Sequence, residues 1–350
     1  MTSSTPSPSG DSRTTSPVPT GESGSSPRGR RFRRAFRALG SLSGVMVVSS
    51  AFTSSSGIDL PTPEFDLSPI QAAIPSGAVV ADLDVPEHER VDYWIGRFTS
   101  DQRSTFEIFL TQEGAFGGMI RGKLRRREMP SRLLYLAMIE SGLRPAAVSR
   151  VEAVGVWQFM TATAQAYGLR IDEFVDERRD PLKATDAALA YLERLNRRYG
   201  SWYLAASAYN AGPTRIDRAL RREGFSIPAS DEAYWKIRPF LPFETREYVP
   251  RMLAATILAE QRDHHGFDGV EGHRPYEFHR VWVPGGTSLQ DVAQGLGAEY
   301  RVVKALNPHL VRGLTPPGEL YAVRVPVGQA FRVVASLVRD GTRAVYMADD

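Results

Sequence analysis

The run LLYLAMIESG places Glu140 directly after seven apolar or near-apolar residues, Leu133 to Ile139, and just before Gly142. A helix with such a run is apolar nearly all round and belongs in the middle of a core. Pro130 suits its first turn, and Gly142 and Pro145 stop it, so Glu140 falls in the last turn, at the negative end of the helix dipole. Burial and that dipole both disfavour ionisation, so the carboxyl is expected to keep its proton near neutral pH. Such a protonated acid is what general acid chemistry requires, for instance to protonate the oxygen of a departing sugar. A lone Glu at a helix end also does well simply by reaching solvent, so its company decides between the two readings.

That company is Ser149, GVWQFM at 155–160, SAYNAG at 207–212 and ETREYVP at 244–250. The phenol of Tyr209 is a donor for Glu140 or for a substrate, and Gln158 offers both donors and acceptors. Asn210 fits either a loop or sugar-amide contact or the Asn-Ala-Gly end of an apolar helix. Trp157, Phe159 and Met160 must pack one side inward, which favours core over sugar platform. Glu244 is open to an ion-pair role. Glu152 places a second carboxylate near the same stretch, as a solvated loop charge or as a group approaching a sugar.

The elements that would position these residues are helical. From residue 87 to 265 the chain alternates apolar-periodic segments with Pro or Gly breaks: VDYWIGRFTSDQRSTFEIFLTQEG, MPSRLLYLAMIESG, AVGVWQFMTATAQAYG, KATDAALAYLERLNRRYG, SWYLAASAYNAGPTRIDRALRREG and ETREYVPRMLAATILAEQ. In the fourth, Ala184, Ala187, Ala188, Tyr191, Leu192 and Leu195 recur at steps of three and four, one apolar face of a helix. Alternating strand patterns wait until FHRVWVP and YAVRVP, which enclose two short helical patterns in a β-α-α-β unit at 276–330. Residues 331–350 are an unassigned tail. The expected fold class is mainly α, a helical catalytic domain followed by this small module.

Upstream, residues 52–86 read as a linker of turn clusters. Residues 1–51 read as a Ser/Pro/Thr-rich disordered stretch, then RGRRFRRAFR, then a moderately apolar run ending in small residues, the order of parts of a signal peptide cleaved after Ala51. At roughly 15 residues the apolar run is short of the about 20 a membrane span needs, so an uncleaved leader would hold the protein at a membrane only weakly. The seven arginines among residues 1–51 face only Asp11 and Glu22, so the basic excess belongs to the leader and gives no support for nucleic-acid binding. The 350-residue chain has no cysteine, which excludes disulfides, thiolate catalysis and Cys-ligated zinc. The adjacent His264 and His265 do not face one target on a helix, so no metal site and no cofactor is expected.

Glu140-Ser141, Gly-x-Trp-Gln-Phe-Met, Ala-Tyr-Asn-Ala-Gly and Glu-Thr-Arg-x-Tyr-Val-Pro, in this order, resemble the lytic murein transglycosylases of the goose-lysozyme-like glycosidase family 23, membrane-bound D type. MPSRLLYLAMIES and ERRDP resemble it too, and the likeness runs from about residue 91 to 258. It implies a lysozyme-like fold, export to the periplasm or cell envelope, peptidoglycan glycan strands as partner, and transient association with cell-wall machinery. It further implies that Glu140 alone serves as acid and then base, cleaving between N-acetylmuramic acid and N-acetylglucosamine to leave a 1,6-anhydro end without water. This differs from glycosidases that use two carboxylates. By the same resemblance Ser141, Ser149, Gln158, Met160, Tyr209, Asn210, Glu244 and Tyr248 contact substrate or close the cleft. The 276–330 unit resembles a LysM module, with VPGGTSLQDVAQGLG and ALNPHL in the places of its first turn-helix and Leu-Asn-Pro segments. Gly286 stands where the usual Asp would be, and sugar binding and a structural role both remain open. A hydrolytic muramidase and a non-catalytic wall-binding protein are the rival functions.

Overall fold

The computed structural model describes residues 82–339 and 345–347; the leader, residues 52–81 and the rest of the tail lie outside them. The first helical segment divides into α1 (Glu89–Thr99) and α2 (Arg103–Arg126). His88 caps α1, its Nδ1 accepting from the Arg90 amide at 3.0 Å, and Glu89 and Asp92 complement the dipole of its first turn. A 3-10 turn at Ser131–Leu133 leads into α3 (Leu134–Ser141). Then follow α4 (Thr161–Ala166), α5 (Pro181–Tyr199), α6 (Trp202–Ala211), α7 (Pro213–Arg222), α8 (Asp231–Ile237) and α9 (Phe243–Glu260).

The short α3 is the hub. Leu133 to Ile139 are all at most 5% exposed, with α2 and α9 packed against α3, and α1 and α6 packed against α9. Each fully buried Leu, Ile or Met here contributes roughly 1.5–3 kcal/mol, so the helix is fixed by its surroundings rather than by its own eight residues. Gly142 ends it in the left-handed conformation, at φ +64°, and a Cβ there would meet the Phe109 ring at 2.6 Å. Both reasons require glycine.

α5 matches its sequence pattern closely. The Asp180 carboxylate caps it by accepting from the amides of Leu182 and Lys183, Pro181 opens it, and Gly200 closes it. The segment read as AVGVWQFMTATAQAYG differs from expectation: helix forms only from Thr161 on. Before it, residues 146–160 make a compact loop in which Val148 pairs with Val154 and Val154 with Phe159 as isolated antiparallel bridges. The physical reason is backbone: Glu152, Gly155 and Gln158 all have positive φ, which a helix cannot hold. At Gly155 a Cβ would stand 1.8 Å from the carbonyl oxygen of Arg178. Gly155→Ala is therefore expected to cost at least about 2 kcal/mol, read as a lowered urea midpoint; an unchanged midpoint would show that the loop has room to move.

After α9, residues 272–276 run back along α2, with the His273 and Tyr276 amides donating to the carbonyls of Thr111 and Ala115 at 2.8 and 3.0 Å. The module then forms as expected: β1 (His279–Val283), α10 (Leu289–Leu296), α11 (Tyr300–Leu306) and β2 (Tyr321–Val325). Part of the unassigned tail joins it as α12 (Ala330–Arg339) and β3 (Val345–Met347), giving a three-stranded antiparallel sheet of order β2-β1-β3. Gly286 takes φ +83° at the turn after β1, a conformation that glycine adopts at no steric cost. Asn307 of ALNPHL is fully buried and joins α11 to β2, donating to the carbonyls of Val303 and Arg324 and accepting from the Arg324 amide. Among the described residues no helix is long and apolar enough to cross a membrane.

Candidate active site

Glu140 lies half-buried in the last turn of α3, facing α9. The hydroxyl of Tyr248 donates to its Oε1 at 2.6 Å. Burial pushes the Glu140 carboxyl up to about 7, the Tyr248 hydrogen bond opposes that rise, the charge of Glu244 adds to it and that of Arg251 opposes it. The rise expected from sequence is therefore present, and near neutral pH the carboxyl is divided between its acid and carboxylate forms. Burial beside Glu140 also drives the Tyr248 and Tyr209 phenols well above their ordinary values, so both remain neutral donors. Tyr248→Phe removes the one bond that favours the carboxylate, so the pH above which turnover declines should move upward. Loss of a bond to a charged group should also lower kcat about 10- to 100-fold. A pH profile on the substrate proposed below checks both; an unmoved alkaline limb would show the bond to be incidental.

The other candidate residues separate into those whose side chains are exposed and those that build the loop and the core. Ser141 turns inward, 5% exposed, donating to the Val156 carbonyl at 2.8 Å and accepting from the Arg144 amide at 3.2 Å. Its place serves the loop rather than a sugar. Tyr209, expected near Glu140, donates to the carbonyl of Trp157 at 2.8 Å and lies between the rings of Phe159 and Tyr191. Tyr248 makes the bond that sequence reading offered to Tyr209. Gln158 curls back through Nε2 to the Gly155 carbonyl at 2.8 Å, and the Ser149 oxygen accepts from the amides of Val151 and Ala153. Trp157 and Phe159 are core, the indole nitrogen of Trp157 donating to Thr185 at 2.9 Å. Met160 is 46% exposed and is the apolar side chain of this run that faces outward. Asn210 accepts from the Thr245 hydroxyl at 2.8 Å, tying α6 to α9. Glu244 is exposed in the first turn of α9, and Glu152 is exposed at the tip of the 146–160 loop.

Two residues of α9 escaped the sequence reading. Arg251 is seven residues beyond Glu244 and three beyond Tyr248, hence on their face of the helix. Its guanidinium rests 5.4 Å from the Trp94 ring centroid, with a buried Nε that has no hydrogen-bond partner. Glu247 is the ion-pair residue that was sought at Glu244. Its carboxylate accepts from Arg90 at 2.7 Å, Trp94 at 2.9 Å and Arg238 at 2.9 Å, tying α9 to α1 and to the 3-10 turn Arg238–Phe240. The helical spacing from Tyr248 was the available signal for Arg251; nothing local distinguished Glu247 from Glu244.

The family model of the transglycosylase SLT domain matches residues 119–230. That span begins inside α2 and ends before α8; it contains Glu140, Gln158, Tyr209 and Asn210 and leaves out Glu244 and Tyr248. The chain is 29% identical over 266 residues to membrane-bound lytic murein transglycosylase D of Escherichia coli K12, covering 75% of this chain and 57% of that one. It therefore spans little more than half the length of that relative. It is also 35% identical over 99 residues to a putative tributyltin chloride resistance protein of Alteromonas sp. strain M-1, covering 28% of this chain and 48% of that one. Among solved structures, an inactive mutant of the lytic transglycosylase Slt of Pseudomonas aeruginosa matches over 42% of this chain and 24% of its own, with 22% identity and a TM-score of 0.33.

Proposed function

On the premise that residues 119–230 are a transglycosylase SLT domain, we propose that this protein is a peptidoglycan lyase that cleaves the β-1,4 bond between N-acetylmuramic acid and N-acetylglucosamine. The observation that carries the reading is the Glu140 carboxyl, held up to about 7 by burial while bonded to Tyr248. Glu140 gives its proton to the glycosidic oxygen as the C1–O bond breaks, and the N-acetylglucosamine part leaves as an alcohol. The resulting carboxylate, steadied by Tyr248 and by the charge of Arg251, takes the proton of the muramoyl C6 hydroxyl as that oxygen bonds to C1. Glu140 ends protonated, no water is consumed, and the product carries a 1,6-anhydro ring. A group near 7 suits both halves, because acid and base strength are then matched at working pH. The 146–160 loop supplies Met160 as an apolar contact and the Ser149 hydroxyl as a donor to the strand.

Mass spectrometry of digested murein tests this. Anhydromuramoyl ends are expected; reducing ends would replace the lyase with a hydrolase and give Glu244, the carboxylate whose charge acts on Glu140, the task of orienting water. The leader is read as an export signal and the site of action as the cell envelope, which N-terminal sequencing of exported protein checks through a start at Phe52. The module at 276–330 is read as LysM-like, with peptidoglycan as the partner of the whole chain.

A further inference from the structure

The segment ERRDP, residues 177–181, is bonded on two sides at once. Toward the 146–160 loop, the buried Arg178 is held by both oxygens of Asp176 at 2.9 Å and donates to the Phe159 and Glu152 carbonyls and to the Thr161 hydroxyl. Its own carbonyl fills the space that a side chain at Gly155 would need. Arg179 donates to the Ala146 carbonyl at 3.3 Å. The 146–160 loop is thus pinned at both ends and in its middle by two consecutive arginines.

On the other side the same segment is part of the C-terminal module. The Asp176 amide donates to the His309 carbonyl and the Val311 amide to the Phe174 carbonyl, both at 2.9 Å. Val175, fully buried, packs within the module's core. Asp180, 1% exposed, pairs through Oδ2 with Arg324 of β2 while its Oδ1 caps α5. Arg324 also donates to the hydroxyl of Tyr276, which itself donates to the Leu306 carbonyl. Removing one partner of a buried pair like this leaves a charge that cannot reach water.

We propose that the C-terminal module is a fixed buttress of the substrate loop, joined to it through Asp180–Arg324 and the Asp176–Arg178 clamp, so that Arg324 is a positioning residue for substrate binding. The proposal rests on the reading of residues 146–160 as the strand-contacting loop. A separately tethered glycan-binding module would have no use for a buried ion pair into the catalytic domain or for a core completed by that domain's valine. Arg324 touches no sugar; it acts by holding the segment on which the loop is seated.

Hydrogen exchange on the full chain tests the joint. In Arg324→Met, peptides covering 146–161 should exchange about tenfold faster or more, with those of α6 and α9 unchanged. KM for murein fragments should rise about fivefold while kcat stays within about twofold, because Glu140 and Tyr248 are seated elsewhere. Faster exchange confined to 303–325, with the loop unchanged, would overturn the proposal. Should Arg324→Met fail to fold, the unaltered protein decides: under increasing urea, the amides of Gly155, Phe159, Asp176 and Val311 should open on one common isotherm. Separate isotherms, with the module opening first, would reject the buttress. Exchange needs no turnover, so these outcomes are independent of whether the product carries an anhydro or a reducing end.

Discussion

Glu140→Gln is expected to lower the proposed murein cleavage by about 10²- to 10⁴-fold, the range for loss of a positioned acid and base, while making the protein more stable above neutral pH. The amide keeps the shape of the carboxyl but has no proton to give to a glycosidic oxygen and cannot take one back. The stability gain follows from the displaced titration. Folded Glu140 ionises at about 7, against 4.5 when unperturbed, so below about 4.5 both states are protonated and the residue contributes no pH dependence. From there upward the unfolded chain loses its proton first, and wild type loses stability until the folded group also ionises near 7. Beyond that the deficit is constant, on the order of 3 kcal/mol. Melting curves at pH 4 and pH 8 read it directly: the variant should match wild type at the first and exceed it at the second. Equal gains at both would mean that the amide improves packing and that ionisation is not the cost.

Glu247→Ala should be the most destabilising single change near the site, at about 3–5 kcal/mol, without removing any group proposed to touch substrate. Glu247 is 5% exposed and satisfies Arg90, Trp94 and Arg238 together. Burial alone would push its carboxyl up, yet the bonds from Arg90 and Trp94 and the charges of Arg90 and Arg238 outweigh this and hold it below the ordinary value. Its contribution is therefore present above the unfolded carboxylate range and is lost as pH falls through the depressed folded value, the opposite sense to Glu140. Because Tyr248 is the next residue, loosening α9 also moves the Glu140 donor. Chemical denaturation at pH 7 and at pH 3 distinguishes the cause: the difference between variant and wild type should shrink at the lower pH. A difference of the same size at both would assign the loss to packing.

Much of this was legible because several local signals agreed. The apolar run before Glu140, its Gly stop and the Asp-Pro start and Gly end of α5 each state a helix boundary in the residues themselves, and the structure places boundaries there. The raised acid also followed from the run alone, since burial is its largest cause. Residues 153–160 were misread as the start of a helix because their conformation is set from outside, by Arg178 occupying the space beside Gly155. The same blindness gave Tyr209 the bond that belongs to Tyr248: both are neutral donors within reach of a buried acid in sequence terms, and only the packing of α9 on α3 decides between them. Glu247 and Glu244 differ by one helical step, which sequence spacing cannot weigh without knowing that Arg90 and Arg238 face one side.

The place of Val175 in the module's core has a consequence for how the chain reaches this state. The Asp180–Arg324 pair closes contacts across 144 residues, and such long closures are slow because chain entropy must be lost before the contact forms. The module cannot complete its interior until the helical domain presents Val175, so it should assemble last, templated on a surface already in place. Until then the Val175 side chain, the Asp176 amide and the Phe174 carbonyl stand open to other chains. A chain shortened after α9 would keep that opening permanently, and aggregation rather than faulty chemistry would be its first symptom.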